Sequence, residues 1–216
     1  MRTNKGFFIT IEGIEGVGKS TSINTIKGYL TQKKIDFIIT REPGGTLLAE
    51  KIRNLLLEVN NDEKLSELSE LLLIFASRAQ HLEKLIKPAL TKGKWVICDR
   101  FTDATYAYQG EGRGLDWGKI SQLEELVQEH LRPDLTIILD LDPRLGLERA
   151  KGRGELDRFE QEKMEFFTKV RTAYLKIAAA DPERCIVIDA SSELAEVSAL
   201  LLNALDNKLT QLLRNG

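Results

Sequence analysis

Histidine and cysteine are scarce, with two of each in 216 residues. His81 and His130 stand far apart, and Cys98 and Cys185 form no C-x-x-C pair, so the chain lacks the ligand spacing of a typical zinc site. Each cysteine lies inside a strand-like apolar run. That pattern reads as buried free thiols in a reducing compartment, not as a disulfide. A surplus of either charge is also missing: 31 basic residues face 33 acidic ones, for a net charge of -2. This balance argues against a general nucleic-acid or membrane surface and leaves room for a local basic pocket. No apolar run approaches the ~20 residues needed to span a bilayer, and the N-terminus shows no signal-peptide core. Cytoplasm is the expected location. Repeats, low-complexity tracts and Pro/Gly-rich linkers are absent as well. With 42% hydrophobic and 30% charged residues, residues 1–216 read as one globular domain that buries its core without staples.

What is present is an alternation of short apolar runs with longer amphipathic ones. Phe7-Phe8-Ile9-Thr10-Ile11, Phe37-Ile38-Ile39, Trp95-Val96-Ile97-Cys98, Leu135-Thr136-Ile137-Ile138-Leu139 and Cys185-Ile186-Val187-Ile188 read as strands. Near-continuous β-branched runs suit strands covered on both faces, as in parallel sheets. The segments between them have helical period. Ile23, Ile26 and Leu30 share one face; Met164, Phe167, Val170, Tyr174 and Ile177 share another; Leu194, Val197, Leu201, Leu205 and Leu209 form the last stripe. Residues 66–90 read as one long helix that Pro88 bends near its end. Such β-α alternation predicts a doubly wound α/β fold, whose ligands sit beyond the carboxyl ends of the strands.

Gly13-Ile14-Glu15-Gly16-Val17-Gly18-Lys19-Ser20 matches G-x-x-x-x-G-K-[ST], between a strand and a helical pattern. Glycines let the backbone curl until several N–H groups point at phosphate oxygens, and the following helix adds its positive end. In that setting Lys19 neutralises β/γ-phosphate charge and Ser20 ligates Mg2+. The loop alone does not separate kinase, GTPase, motor ATPase and binding module. Asp99-Arg100 closes the third strand run, where a carboxylate can hold the Mg2+ water shell and the arginine can clamp a second phosphate. No N-K-x-D-type guanine segment follows, and Asp99-Arg100-Phe101 lacks the catalytic Glu of a motor Walker-B run. Thr40-Arg41-Glu42-Pro43-Gly44-Gly45-Thr46 places another arginine at a strand end, facing the same edge.

Together with Tyr108-Gln109-Gly110, Gly112-Arg113-Gly114 and Arg153-Gly154-Glu155-Leu156-Asp157-Arg158, these segments resemble the thymidylate kinase family, whose members phosphorylate dTMP with ATP. The resemblance covers essentially the whole chain. It implies a P-loop NTPase fold: a five-stranded parallel sheet flanked by helices on both faces, with a lid at about 149–160. It also implies that Gly13, Ile14, Glu15, Gly16, Val17, Gly18, Lys19, Ser20 and Thr21 surround the ATP phosphates. Ser20 and Asp99 are then the Mg2+ ligands.

For the acceptor, the resemblance sets Glu15 at the sugar 3′-hydroxyl, Arg41 and Arg100 on the phosphate, and Arg78 at the thymine edge. Thr105, Tyr108 and Gln109 line base and sugar. Where the family usually stacks a phenylalanine on the base, this chain has Ile74 followed by Phe75. Successive helical side chains point about 100° apart, so Ile74 covers the base or Phe75 does, but not both. Some family members carry the catalytic arginine in the glycine loop and others, the bacterial type, in the lid. This loop has no arginine, so the resemblance implies the lid type, with Lys19, Arg100 and Arg153 as catalytic residues. A homodimer is implied as well, with neither nucleic acid nor membrane as partner. Two alternatives stay open at this point: another nucleoside monophosphate kinase of UMP/CMP type, and a non-catalytic ATP-binding module.

Overall fold

The strand sequences demand cover on both faces, and the computed structural model, which describes residues 6–59, 63–151 and 157–215, supplies it for the three central strands but leaves Ile39 and Val187 of the two edge strands 42% and 43% exposed. Five strands form, β1 (Phe8–Glu12), β2 (Phe37–Arg41), β3 (Trp95–Asp99), β4 (Leu135–Asp140) and β5 (Cys185–Asp189). They are all parallel, in the order β2-β3-β1-β4-β5. The expected five-stranded sheet is therefore present. Each strand runs one or two residues past its apolar stretch, ending on Glu12, Arg41, Asp99, Asp140 and Asp189. Those polar ends carry no hydrophobic signal, yet they mark the carboxyl edge where ligands of such sheets sit.

Parallel strands need crossovers. Among the described residues these hold α1 (Lys19–Gln32), α2 (Leu47–Leu57), α3 (Glu67–His81), α4 (Lys87–Thr91), α5 (Thr102–Thr105), α6 (Trp117–Gln128), α7 (Pro143–Lys151) and α8 (Met164–Ala180), and α9 (Leu194–Asn215) follows the last strand. Strand side chains alternate between two helical layers. Ile9, Ile11 and Ile97 join Ile26 of α1, Val170 of α8 and Leu201 of α9. Phe8, Val96 and Cys98 join Ile86 and Leu90 on the opposite face. Met164 and Leu194, expected in the buried stripes, are 39% and 60% exposed because each opens its helix, beyond the cover of the sheet. Residues 66–90 do not form one regular helix. Ser66 caps α3 by accepting from Ser69 N–H at 3.2 Å. A π-helical turn, Leu82–Ile86, then precedes α4. Pro88 supplies no N–H, and the wider turn lies directly before it.

β1 sits between β3 and β4. From β1 the chain builds β2 and β3 on one side, then crosses to build β4 and β5 on the other. The crevice at such a switch opens beyond the end of β1, where the glycine loop begins.

Candidate active site

The loop between β1 and α1 curls through left-handed glycines, with φ of +132° at Gly13, +74° at Gly16 and +93° at Gly18. A Cβ on Gly18 would meet nothing, whereas one on Gly16 would fall 1.9 Å from the Gly146 carbonyl oxygen of α7. One side of the loop is thus open and the other is seated on α7. Ile14 and Val17 turn their side chains into the core. Lys19 Nζ donates to the Gly13 and Ile14 carbonyls at 3.1 and 3.0 Å. Burial, reinforced by Arg100, pushes the Lys19 ammonium down to about 8, while Asp99, Glu15 and Glu12 act the other way.

A cleft of about 1140 Å³, including the part open to solvent, extends from this loop. Glu15, Gly16, Gly18, Lys19, Ser20 and Thr21 line one end. Arg100 follows β3 and donates to the Gly13 carbonyl at 2.7 Å and to Glu15 at 2.8 Å. Its guanidinium also lies over the Tyr108 ring, 4.7 Å from the centroid. The Tyr108 hydroxyl donates to the same Glu15 carboxylate at 2.8 Å. Burial, with Glu15 adding to it against Arg100, holds the Tyr108 phenol well above its ordinary range, so it remains a donor. Asp99 lines the cleft with a buried oxygen, Oδ1, that has no hydrogen-bond partner.

The other end is set by Arg78, which is 1% exposed. It donates to Glu42 at 2.7 Å and to Thr105 at 2.9 Å, and it stacks between Phe75 and Phe101. Glu42 also pairs with His81 at 3.0 Å, and His81 in turn bonds Thr40 at 2.7 Å. Arg78 is thereby fixed on three sides, while its Nη1 is buried without a partner. Such a rigid fork, carrying one unused donor, suits recognition of a planar polar edge. Ile74 lines the cleft beside it, whereas Phe75 does not. Phe75 packs with Leu71 and Ile120 beneath Arg78, so the phenylalanine belongs to the core and the isoleucine faces the site.

Arg41 corrects another expectation. Its side chain is 53% exposed, pairs with Glu50 at 2.9 Å and lines no part of the cleft. Besides Arg78 and Arg100, the arginine that lines it is Arg53 of α2, which donates to the Pro43 carbonyl at 2.9 Å. Sequence reasoning missed Arg53 because no motif contains it. It missed the role of Glu42 as well, although that residue lies inside the Thr-Arg-Glu-Pro-Gly-Gly-Thr run.

A second overlooked group is centred on Glu70, which is 1% exposed. It accepts from Gln109 at 2.7 Å and pairs with Arg113 at 3.3 Å and Arg158 at 2.7 Å. Arg113 also pairs with Glu162. Phe159 lines the cleft with both guanidinium groups near its ring. Of the expected residues, Glu15, Gly16, Gly18, Lys19, Ser20, Thr21, Arg78, Asp99, Arg100, Thr105, Tyr108 and Gln109 line one cleft, whereas Gly13, Ile14 and Val17 do not. Arg153 lies outside the described residues.

A family model described as thymidylate kinase matches residues 11–201, a span that holds every residue of the cleft. A thymidylate kinase of Hahella chejuensis (strain KCTC 2396) is 54% identical over 205 residues, covering 95% of this chain and 98% of that protein. One of Teredinibacter turnerae (strain ATCC 39867 / T7901) is 55% identical over 201 residues, covering 93% and 98%. The crystal structure of thymidylate kinase from Ehrlichia chaffeensis superposes with a TM-score of 0.75 at 39% identity, over 93% of this chain and 99% of that one. These likenesses run nearly end to end in both partners, so they concern the whole fold and not the glycine loop alone.

Proposed function

The chain belongs to the thymidylate kinase family, and from that premise we propose that it transfers the γ-phosphoryl group of ATP to dTMP, giving ADP and dTDP. The observation that carries this reading is one continuous cleft, which joins a glycine loop to a buried, rigidly held Arg78–Thr105 edge. In this reading the loop backbone and Lys19 hold the triphosphate. Arg100 and Arg53 take the acceptor phosphate, Glu15 the sugar, and Arg78, Thr105, Gln109 and Tyr108 the base and its surroundings, with Ile74 covering the base in place of an aromatic ring. The acceptor phosphate is already a competent nucleophile, so no general base is assigned. Rate comes from alignment and charge neutralisation.

Asp99 and Ser20 are the residues that would hold Mg2+, and the partnerless Asp99 Oδ1 fits a hard cation. Mg2+ supplies neutralisation of the triphosphate charge. Residues 149–160 act as a lid within one domain, with Arg153 as its catalytic arginine. The support for Arg153 is that the loop carries none. The partner is a second copy of the chain. Supporting this are exposed leucines on neighbouring helices, Leu48 and Leu55 on α2 with Leu68 and Leu72 on α3. A cytoplasmic setting agrees with two buried free thiols. Among the described residues, no helix is long and apolar enough to cross a membrane.

The test is an acceptor panel with ATP and Mg2+. dTMP-dependent ADP formation should exceed that with dUMP, CMP or AMP by tenfold or more. Equal rates across the panel would overturn the thymidylate assignment, and ADP formation indifferent to acceptor would overturn the transferase itself.

A further inference from the structure

Arg100 has a backbone conformation that few side chains adopt. Its φ is +67°, in the left-handed region. Three bonds hold this turn. The Arg100 N–H donates to the Ile11 carbonyl at 3.0 Å, the Cys98 thiol donates to the Arg100 carbonyl at 3.0 Å, and the Phe101 N–H donates to Glu12 Oε1 at 2.7 Å. The other Glu12 oxygen, Oε2, accepts from the Tyr174 hydroxyl at 2.8 Å. That hydroxyl accepts in turn from Arg100 Nη1 at 3.3 Å. One carboxyl group thus reaches Arg100 at both ends, through the main chain that follows it and through the tip of its guanidinium. Glu12 itself is fully buried and lines no part of the cleft, so it cannot touch a substrate.

We propose that Glu12 is a positioning residue for acceptor phosphate binding, holding Arg100 in its left-handed turn and, through Tyr174, aiming its guanidinium into the cleft. The proposal rests on the reading of Arg100 as the acceptor-phosphate clamp. A negative charge at this buried position costs solvation energy, so the charge itself is not what stability asks of it. The charged and titratable groups that act on Glu12 are Asp103 from α5, Tyr174 from α8, Lys19 from α1, the buried thiols Cys98 of β3 and Cys185 of β5, and Arg100 itself. Of these, Arg100 and Tyr174 form the chain that leads to the cleft.

Glu12→Gln keeps the shape but offers one acceptor oxygen in place of two, so one of the two holds on Arg100 is lost. The expected result is a folded protein with Tm at pH 8 equal to or above wild type. Its KM for dTMP should rise at least tenfold while KM for ATP stays within twofold. Tyr174→Phe, which removes only the hydroxyl, should move dTMP KM in the same direction by less. A merely structural Glu12 would lower Tm and leave the ratio of the two KM values alone. A second readout needs no substrate: the Arg100 Nε–H resonance in 15N NMR should shift in both variants. Either an unmoved Arg100 resonance or a dTMP KM within twofold of wild type in both variants would overturn the proposal. If wild type fails to phosphorylate dTMP, the thymidylate reading falls and the Arg100 resonance alone decides the role of Glu12. If Glu12→Gln does not fold, Tyr174→Phe decides it.

Discussion

Arg53 is half-buried in the cleft wall, and burial lowers its pKa, with the positive charge of Arg41 next in importance. Arg41 therefore contributes field where Arg53 contributes contact. A charge-assisted bond is worth roughly 1.5–3 kcal/mol, so Arg53→Ala should raise the KM for dTMP by about 10- to 100-fold. Arg41→Ala should change it by about threefold or less, an effect that fades at high ionic strength because exposed charges are screened. Steady-state kinetics at two salt concentrations separate these outcomes, and equal losses would return Arg41 to the site. The sequence signal favoured Arg41 because it adjoins a Pro-Gly-Gly turn. Arg53 reads as one more cation on an amphipathic helix, and only the fold brings it to Pro43. Glu12 was hidden for a similar reason, lying one residue past the apolar run of β1. Burial, with Asp103 adding to it, pushes the Glu12 carboxyl from its ordinary 4.5 up to about 8, against Arg100 and the bonds from Tyr174 and Phe101. Between those values the folded state keeps a proton that the unfolded chain has lost. Stability is then fully present below 4.5 and declines as pH rises toward about 8, by at most about 1.4 kcal/mol per pH unit. Denaturant titrations from pH 5 to 9 should show that decline in wild type and a flatter profile in Glu12→Gln. Parallel profiles would mean that Glu12 is not protonated in the fold.

At the scale of elements, the glycine loop depends on a helix that no motif mentions. Gly146 of α7 faces the loop so closely that a Cβ there would stand 2.6 Å from the Glu15 carbonyl oxygen. Both partners of that approach are backbone, so neither can swing aside. Gly146→Ala should displace the loop by a few tenths of an ångström, and small misplacements of a reacting group are costly. We expect kcat/KM for ATP to fall by about one to two orders of magnitude with helical content retained by circular dichroism. Unchanged ATP kinetics would show that the loop adjusts freely. The strands were legible because β-branched runs covered on both faces announce themselves, and the loop because its spacing is distinctive. A contact between Gly16 and Gly146 leaves no periodic trace. The Glu70 assembly was equally silent. Glu70 occupies the first turn of α3, where an acidic residue needs no reason beyond the helix dipole. Burial with Arg113 and Arg158 gives it a second reason. Glu70→Gln takes the carboxylate from partly buried Arg158 while Arg113 keeps Glu162; breaking a fully buried pair costs roughly 3–5 kcal/mol, so the unfolding free energy should fall by up to about that much in urea titrations. A loss under about 1 kcal/mol would mean that water already screens these pairs.

For the whole molecule, one topological fact organises the chemistry. β1 lies between β3 and β4, where the chain stops building on one side of β1 and begins on the other, so the glycine loop, Asp99-Arg100 and the α3 residues, distant in sequence, converge on one crevice. Chain order and strand count were readable in advance. Which helical leucines face the sheet and which face outward was not, because a stripe that seeks apolar cover looks the same whether that cover is the core or another subunit. The structure separates them. Leu71 is fully buried, whereas Leu68 and Leu72 on the same helix are 54% and 49% exposed, beside Leu48 and Leu55 of α2 at 51% and 53%. Stable interfaces bury about 800 Å² per partner around an apolar centre, and two adjoining helices with four outward leucines provide such a centre. Sedimentation equilibrium at micromolar concentration should therefore give twice the chain mass of 24.4 kDa. A glutamate at the middle of the patch would bury an unpaired charge in any such interface. Leu72→Glu should then sediment at the single-chain mass, with a Tm that no longer depends on protein concentration. A wild-type protein that is monomeric at tens of micromolar, or a Leu72→Glu variant that still dimerises, would place the partner surface elsewhere.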